Sequence, residues 1–384
     1  MTAAAVKIVG LDVGDYLTMK KLPDTDLSTE WTEVEEFYHN KLWHQLTLKL
    51  VDFVKNPDMQ KGDNLIDLYE NFIVTFENKI NPLSLIEIAG HVTHQYKDKR
   101  EAIAFLESME PKVKNNDQAW TYCKVLQGQL HLEHYKDMEN CARIIKEVEA
   151  TLRDVDGVTP VHAQFYKFSS DYYRIHGPLC RYYRAGLRYV GCGIAIPTAI
   201  SRMMAKSLSL AAVFAPEIYD LGELLAHPIM KTLKDTEDEW AIDLVRVVAE
   251  GDVDGYKKLR NRINPVNYLE MEKPLFQKIS LLSLMGMAYS RTPAKRVLTF
   301  AEISEKTRVQ MDEVELLVMK AMAQKLIRGS IDEVDKTVTI NGVKPRALTR
   351  KQIGELADNL DEWCQVVKEA ADFVEDKAGD VLTF

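Results

Sequence analysis

The sequence predicts a mainly α-helical protein, in which a right-handed helical-repeat solenoid is followed by a winged-helix domain and a long C-terminal helix. Three observations support this prediction. Apolar residues recur at helical spacing from Trp31 to Tyr289, the pattern then changes to helix, turn, helix and hairpin, and a heptad repeat begins at Ile353. The predicted domains are a flexible N-terminal arm at 1–30, a helical array at 31–270, the winged helix at 271–348, and a C-terminal helix and tail at 349–384.

The array is predicted from successive apolar stripes and from caps such as Asn81-Pro82 and Thr159-Pro160. Helices are expected to begin near residues 64, 81, 100, 117, 137 and 160. Taken in pairs, they recur in the range of helical-hairpin repeats, although the signature residues of the tetratricopeptide repeat are not clearly present. Stacked hairpins bury one continuous core, which a single hairpin could not do.

The winged helix is predicted from local signals. Thr299 and Glu302 form a capping box that opens one helix, and Asp312–Lys325 supplies the second. Residues 327–331 and 337–340 have the composition of two short strands, joined by a turn at 333–336. The order helix, turn, helix, hairpin is that of a winged-helix domain.

The C-terminal helix carries an apolar seam with alternating spacings of three and four residues, which is a heptad pattern. Its members are Ile353, Leu356, Leu360, Trp363, Val367, Ala370 and Val374. A seam that follows a complete domain either folds back on its own chain or pairs with helices of partner proteins, and we favour partner proteins.

Composition and motifs indicate a protein without catalytic chemistry. The chain has 384 residues, a net charge of −9 and five cysteines, none in a CxxC pair, so we expect reduced thiols and a location in the cytoplasm and nucleus. It has no phosphate-binding loop, GxSxG or HExxH motif, no secretory signal and no apolar run long enough for a bilayer. The histidine pairs 91/94 and 131/134 lack a convincing third ligand. We therefore expect no catalytic residue, cofactor, metal or small-molecule substrate.

Nucleic-acid binding is the weaker interpretation of the winged helix. Its second helix carries three acidic residues against two lysines, and its first turn, which would face the bases, is acidic. Basic residues do surround the domain, among them Arg291, Arg308 and Arg328. We favour a winged helix that contacts proteins through the exposed edge of its small sheet.

This architecture resembles the PCI family, whose members are scaffold subunits of the proteasome lid, the COP9 signalosome and translation initiation factor 3. Four segments are similar to a lid subunit of the proteasome regulatory particle, namely KLWHQLTLKLVDFV (41–54), LYENFIVTFENKINPLSLIEI (68–88), GELLAHPIM (222–230), and DEVELLVMK with GSIDEVDK (312–320 and 329–336). The resemblance extends from about Trp31 into the C-terminal helix.

The resemblance implies a non-catalytic scaffold that supports lid assembly and ubiquitin-dependent degradation, with other PCI and MPN subunits as partners and no nucleic acid or membrane. It implies a lateral contact through the winged helix, with Val338 and Ile340 as candidates. It also implies a helical-bundle contact through Ile353, Leu356, Leu360, Trp363 and Val367. The alternatives are a scaffold in one of the two sister complexes and a winged-helix nucleic-acid binder.

Overall fold

A computed structural model describes residues 13–21, 27–155, 157–194, 196–260, 272–291, 296–345, 347 and 350–382. Within these ranges the chain forms two compact units, which divide inside one helix. Unit 1 holds the described residues up to Gly177 together with Arg188–Ile194, and unit 2 holds Pro178–Leu187 together with the described residues from 196 onward. No helix in the described ranges is both long enough and apolar enough to cross a membrane.

Unit 1 is a succession of helices, most of which pack on the next helix in sequence. They are α1 (Val13–Lys21), α2 (Leu27–His39), α3 (Trp43–Val54), α4 (Asn64–Asn71), α5 (Pro82–Gln95), α6 (Lys99–Val113), α7 (Asp117–Leu130), α8 (Met138–Arg153), α9 (Pro160–His176) and the end of α10 (Leu179–Gly191). The six predicted helix starts are confirmed to within one residue. Asn81 accepts a hydrogen bond from the Leu83 amide, and Thr159 forms a capping box with His162.

Helix α7 joins the two apolar cores of unit 1. Its Ala119, Cys123 and Leu130 belong to the core that α1–α7 share, whereas Val125 belongs to the core formed with α8 and α9. Because one helix contributes to both cores, the array buries a continuous interior, as expected for stacked helical hairpins.

The N-terminal arm departs from its prediction. Residues 13–21 form α1, whose Tyr16 and Leu17 are buried, so this part of the predicted flexible arm is ordered. Tyr16 packs edge-on against Trp31 with ring centroids 6.1 Å apart. The prediction was wrong here because the segment has little helical pattern of its own and is held by an aromatic contact beyond it. Residues 1–12 and 22–26 lie outside the described ranges.

Unit 2 contains the remaining elements. They are the start of α10, α11 (Thr198–Phe214), α12 (Gly222–Ala226), α13 (Trp240–Glu250), α14 (Val253–Arg260), α15 (Glu272–Ser290), β1 (Val297–Thr299), α16 (Phe300–Thr307), α17 (Met311–Ala323), β2 (Ile327–Asp332), β3 (Thr337–Val343) and α18 (Arg350–Leu382). Helix α15 is buried on several sides and contacts α11, α13, α14, α16, α17 and β3. The order from α15 to β3 is that of a winged helix.

The predicted capping box of Thr299 and Glu302 is present. The Glu302 carboxylate accepts from the Thr299 amide at 2.9 Å, and the Glu302 amide donates to the Thr299 hydroxyl at 3.3 Å. The sequence also predicts capping boxes that begin at Thr236 and at Thr349. The first is absent, because α13 begins at Trp240 and the Thr236 hydroxyl donates to the Leu233 carbonyl instead. The second lies outside the described residues.

The remaining domain boundaries stay predictions, since the compact units divide the chain near residues 178–194 and do not test a boundary at 270/271 or 348/349.

Candidate interaction surfaces

Helix α18 presents the largest uncovered apolar surface of unit 2. It has 33 residues, so it is about 50 Å long. The five seam residues that are predicted to contact partners share one face and are 45–64% exposed, with Trp363 the most exposed. No described residue of the chain covers this face. The structure therefore brings the predicted seam together and leaves it available, while its contact with partners remains a prediction.

The apolar face of α18 is wider than the predicted seam. Val366 and Phe373 flank it on one side and are 61% and 63% exposed. The small residues Ala357, Cys364 and Ala371 flank it on the other side. Two-stranded coiled coils usually carry charged residues at these flanking positions. A face with apolar and small flanks is suited to a bundle, in which it meets more than one neighbouring helix.

The opposite face of α18 is acidic. The helix contains nine acidic residues (355, 358, 361, 362, 369, 372, 375, 376 and 380) against four basic ones (350, 351, 368 and 377), a net charge of −5. Between residues 356 and 376 every acidic residue lies outside the apolar face and its flanks. This separation keeps the polar side of the helix in water when the apolar side is covered.

The segment that leads into α18 is attached to α12. The Ala347 amide donates to both carboxylate oxygens of Asp220, at 3.1 and 3.2 Å. A Cβ atom on Gly222 would lie 2.9 Å from the Ala347 carbonyl oxygen, so only glycine permits this close approach without a shift. Since α18 begins three residues later, this contact lies close to its base.

One predicted contact surface of the winged helix is wrong. Val338 and Ile340 are 0% and 1% exposed, so their side chains belong to the core of the domain and are not free to contact a neighbour. The reason is that side chains alternate along β3: Val338 and Ile340 lie on the buried face of the sheet, on a strand that packs against α15, whereas Thr339 between them lies on the exposed face. The strand order is β1-β3-β2, so β3 is also the central strand. Strand β1 was not predicted. Its β-branched residues Val297 and Thr299, on either side of Leu298, were the signal that could have revealed it.

The two edges of the sheet are short or irregular. Strand β1 has three residues, and β2 carries a register shift between Arg328 and Gly329 where it pairs with β3. Short and bulged edges are poor templates for adding another strand. The lateral contact through the sheet edge remains a prediction. Each edge strand leaves only a short regular stretch on which a partner strand could pair.

An exposed apolar stripe of the winged helix lies instead on α17. Val314, Val318 and Ala321 face the core, whereas Leu316 and Met319 on the opposite side are 66% and 53% exposed. The buried apolar stripe of this helix was predicted from the sequence, whereas the exposed stripe was not. A count of apolar residues on both faces could have found it.

Several basic residues around the winged helix are bound within the protein. Arg291 pairs with Glu302 at 2.6 Å, and Arg308 pairs with Asp254 at 3.0 Å, where it lowers the pKa of that carboxyl group. These pairs line a charged cavity of about 570 Å³ beside the end of α13. Phosphate binding would have to compete with these internal partners.

The two histidine pairs occupy different settings in unit 1. His91 and His94 line a groove of about 460 Å³ between α5, α7 and α9, and burial lowers the pKa of His91. His131 and His134 lie in a π-helical turn, His131–Tyr135. Among the described residues, no three or more histidine, cysteine or carboxylate side chains are grouped so that they could hold a metal ion.

Comparison with known proteins gives two family matches. The family described as PSD13 N-terminal repeats matches residues 30–245, and the PCI domain matches residues 259–341. The chain is 32% identical to 26S proteasome non-ATPase regulatory subunit 13 homolog A of Arabidopsis thaliana, covering 96% of this chain and 98% of that protein. It is also 32% identical to 26S proteasome non-ATPase regulatory subunit 13 of Dictyostelium discoideum, with the same coverage.

A weaker similarity concerns another complex. Eukaryotic translation initiation factor 3 subunit M of Xenopus tropicalis is 26% identical over 43% of this chain and 43% of that protein. The similarity to the proteasome subunits therefore extends over more than twice as much of the chain.

Proposed function

This chain belongs to the family of the 26S proteasome non-ATPase regulatory subunit 13, and from that membership we propose that it is a non-catalytic scaffold subunit of the proteasome lid. It would support lid assembly, and thereby ubiquitin-dependent degradation, through its PCI domain and its C-terminal helix. We expect its partners to be other PCI and MPN subunits, and its location to be the cytoplasm and nucleus.

The observation that carries this proposal is the uncovered apolar face of α18. Five large apolar side chains on one face, each about half exposed, would be unfavourable on a protein that works alone. Each such side chain contributes roughly 1.5–3 kcal/mol when it is fully buried. A helical bundle formed with partner subunits would bury this face and leave the acidic side in water.

The solenoid of unit 1 supports a scaffold role in a second way. Arrays of helical hairpins offer extended surfaces that bind other proteins. The cavity beside α13 and the groove between α5, α7 and α9 are lined mainly by charged and polar side chains, and some of these pair with each other, such as Arg308 with Asp254 and Arg174 with Asp171. These contacts suit a structural role, and we propose no substrate for either cavity.

Sedimentation of the endogenous protein from a native lysate tests the proposal. We expect the chain to travel with a very large ATP-dependent peptidase, and subunit mass spectrometry of the same fractions to find proteasome subunits. Sedimentation near its own mass of 43.9 kDa would contradict the proposal. Copurification with signalosome or initiation-factor subunits would instead support a sister complex.

Nucleic-acid binding is tested separately. The acidic first turn of α17 leads us to expect no retention of the purified chain on DNA or RNA at low salt. Retention that falls steeply as salt rises would favour the nucleic-acid alternative, because phosphate contacts release counterions.

A further inference from the structure

The outer face of α17 forms a ridge that nothing in the described chain covers. Asp312, Leu316, Met319 and Ala323 follow one another at spacings of four, three and four residues, and all four are exposed. Such a row forms a ridge along a helix and fits the groove of a second helix. The ridge lies opposite the buried face of the same helix, so a partner could reach it without opening the domain.

The charges around the ridge are unequal along its length. Asp312, Glu313 and Glu315 cluster at the N-terminal end of α17. At the other end, Lys320 donates to Gln277 at 2.6 Å and is therefore partly engaged. The apolar part of the ridge thus begins next to a cluster of carboxylates, which a partner with lysine or arginine residues would complement.

The same carboxylates argue against three other occupants. Duplex DNA would bring phosphates against the acidic first turn. Helix α18 of this chain carries a net charge of −5 and would be repelled. A second copy of the chain shares the net charge of −9, and the few side chains of the ridge fall well short of the roughly 1,200–2,000 Å² that a stable interface buries.

A small ridge suffices when the partner is already held nearby. If one surface of a protein fixes the partner, a second contact forms at high effective concentration and needs little affinity of its own. Helix α18 offers that first attachment under the proposed function. The ridge of α17 would then fix the orientation of a partner subunit that α18 already binds.

We propose that the outer face of α17 docks an amphipathic helix of a neighbouring protein subunit, whose apolar residues cover Leu316 and Met319 and whose basic residues meet Asp312 and Glu315. This inference rests on the proposed function and assigns a partner chemistry to a surface that the family comparison does not identify.

Photo-crosslinking in the assembled particle tests the inference. The photoreactive residue p-benzoylphenylalanine replaces Met319 in the full-length chain, and a matched chain carries it at Val334, which is 92% exposed at the tip of the wing. After the particle is purified and irradiated, mass spectrometry identifies the crosslinked peptides. We expect position 319 to capture a helical segment of another subunit that contains lysine or arginine beside apolar residues, and position 334 to give at least tenfold less of that product.

Two variants separate the apolar and the charged contributions. Leu316→Glu, and separately Asp312→Lys combined with Glu315→Lys, are each expected to lower the crosslink from position 319 at least tenfold. Asp335→Lys on the wing serves as the control and should leave it unchanged. Because the substituted side chains are exposed or partly exposed, thermal melting of the purified chain should be unaffected.

Copurification with the particle is recorded in the same experiment and reports on the proposed function. If the chain copurifies but position 319 crosslinks to nothing, to α18, to a second copy or to nucleic acid, the docking proposal is overturned and the scaffold role stands. If the chain does not copurify with proteasome subunits, both are overturned.

Discussion

Helices α8 and α18 have similar sequence patterns, but the apolar face is buried in α8 and exposed in α18. Each is strongly amphipathic, with apolar residues at spacings of three and four. In α8 these residues are all buried, namely Cys141, Ile144, Ile145, Val148 and Leu152. In α18 the corresponding residues are about half exposed. Helices α7 and α9 pack against α8, whereas no described helix packs on α18.

The difference shows that periodicity determines which face of a helix is apolar, whereas the surrounding structure determines what covers that face. For α8 the cover comes from adjacent helices of the same chain. For α18 it must come from elsewhere, and this distinction leads to opposite expectations for equivalent substitutions.

The largest effect is expected for assembly. Combining Leu360→Asp with Val367→Asp places two charges in the seam of α18 and should weaken incorporation into the complex by about 3–6 kcal/mol, which is more than a hundredfold. Cosedimentation with proteasome subunits measures it. Asp358→Asn with Asp372→Asn, on the polar face, is the matched control. Normal assembly of the seam variant would show that α18 is not a bundle helix.

Single valine substitutions compare the two helices directly in the isolated chain. Val148→Asp buries an unpaired carboxylate and should lower the free energy of unfolding by about 4 kcal/mol. Val367→Asp, on an exposed face, should change it by less than about 0.5 kcal/mol. Denaturant titration measures both. Equal losses would indicate that α18 is covered by its own chain in solution.

A buried lysine in unit 2 provides a second test of how burial affects a polar side chain. Lys278 of α15 donates to the carbonyl oxygens of Ala212, Val213 and Ala215 at the end of α11, at 2.6, 3.1 and 2.7 Å. Burial lowers the pKa of Lys278 from 10.5 to about 7. Between these two pH values the unfolded chain binds more protons than the folded chain, so the free energy of unfolding should rise with pH.

Lys278→Met provides the reference for this effect because methionine does not titrate. The stability of the natural chain relative to the variant should increase by roughly 3–4 kcal/mol from pH 7 to pH 10, as measured by denaturant titration at each pH. A constant difference would show that the three carbonyl contacts and the end of α11 keep the ammonium group charged throughout.

The smallest effect is expected on the solvent faces, where α8 and α18 should behave alike. Arg153 of α8 lies 3.5 Å from Glu149 and is mostly exposed. Arg153→Ala, and likewise Lys368→Ala on α18, should change the free energy of unfolding by less than about 0.5 kcal/mol, because exposed ion pairs contribute little. A larger loss in either case, measured by thermal melting, would reveal a contact that the structure does not show.

The sequence predicted most of the local structure, since caps and periodicity are local signals. Asn81, Thr159 and Thr299 marked helix starts because their side chains bond to amides a few residues away. A glycine after an apolar helical stripe is a similar local signal for a helix end, and Gly251 ends α13 with a φ of 71°. Such features depend only on residues a few positions away, so they can be predicted without the rest of the chain.

The errors concern contacts between distant segments. Strand β1 pairs with a strand forty residues later, with Leu298 opposite Val338. Val338 and Ile340, predicted at the surface, are buried because they lie on the inner face of β3, a strand that packs against the distant helix α15. Helix α1 was missed because Trp31 holds it from outside. Among the site residues, the α18 seam was located by its own spacing, whereas the outer ridge of α17 became visible only when the opposite face was seen to be buried.

The length of α18 makes it a lever. A rod about 50 Å long that turns by about 5° at its base moves its far end by about 4 Å, which is most of the rise of one helical turn. A small rotation at the base of α18 would therefore displace Phe373 and Val374, toward the distal end of the apolar face, much more than Ile353 near its start. A partner that binds along the whole face would fix the direction of the helix as well as cover its side chains.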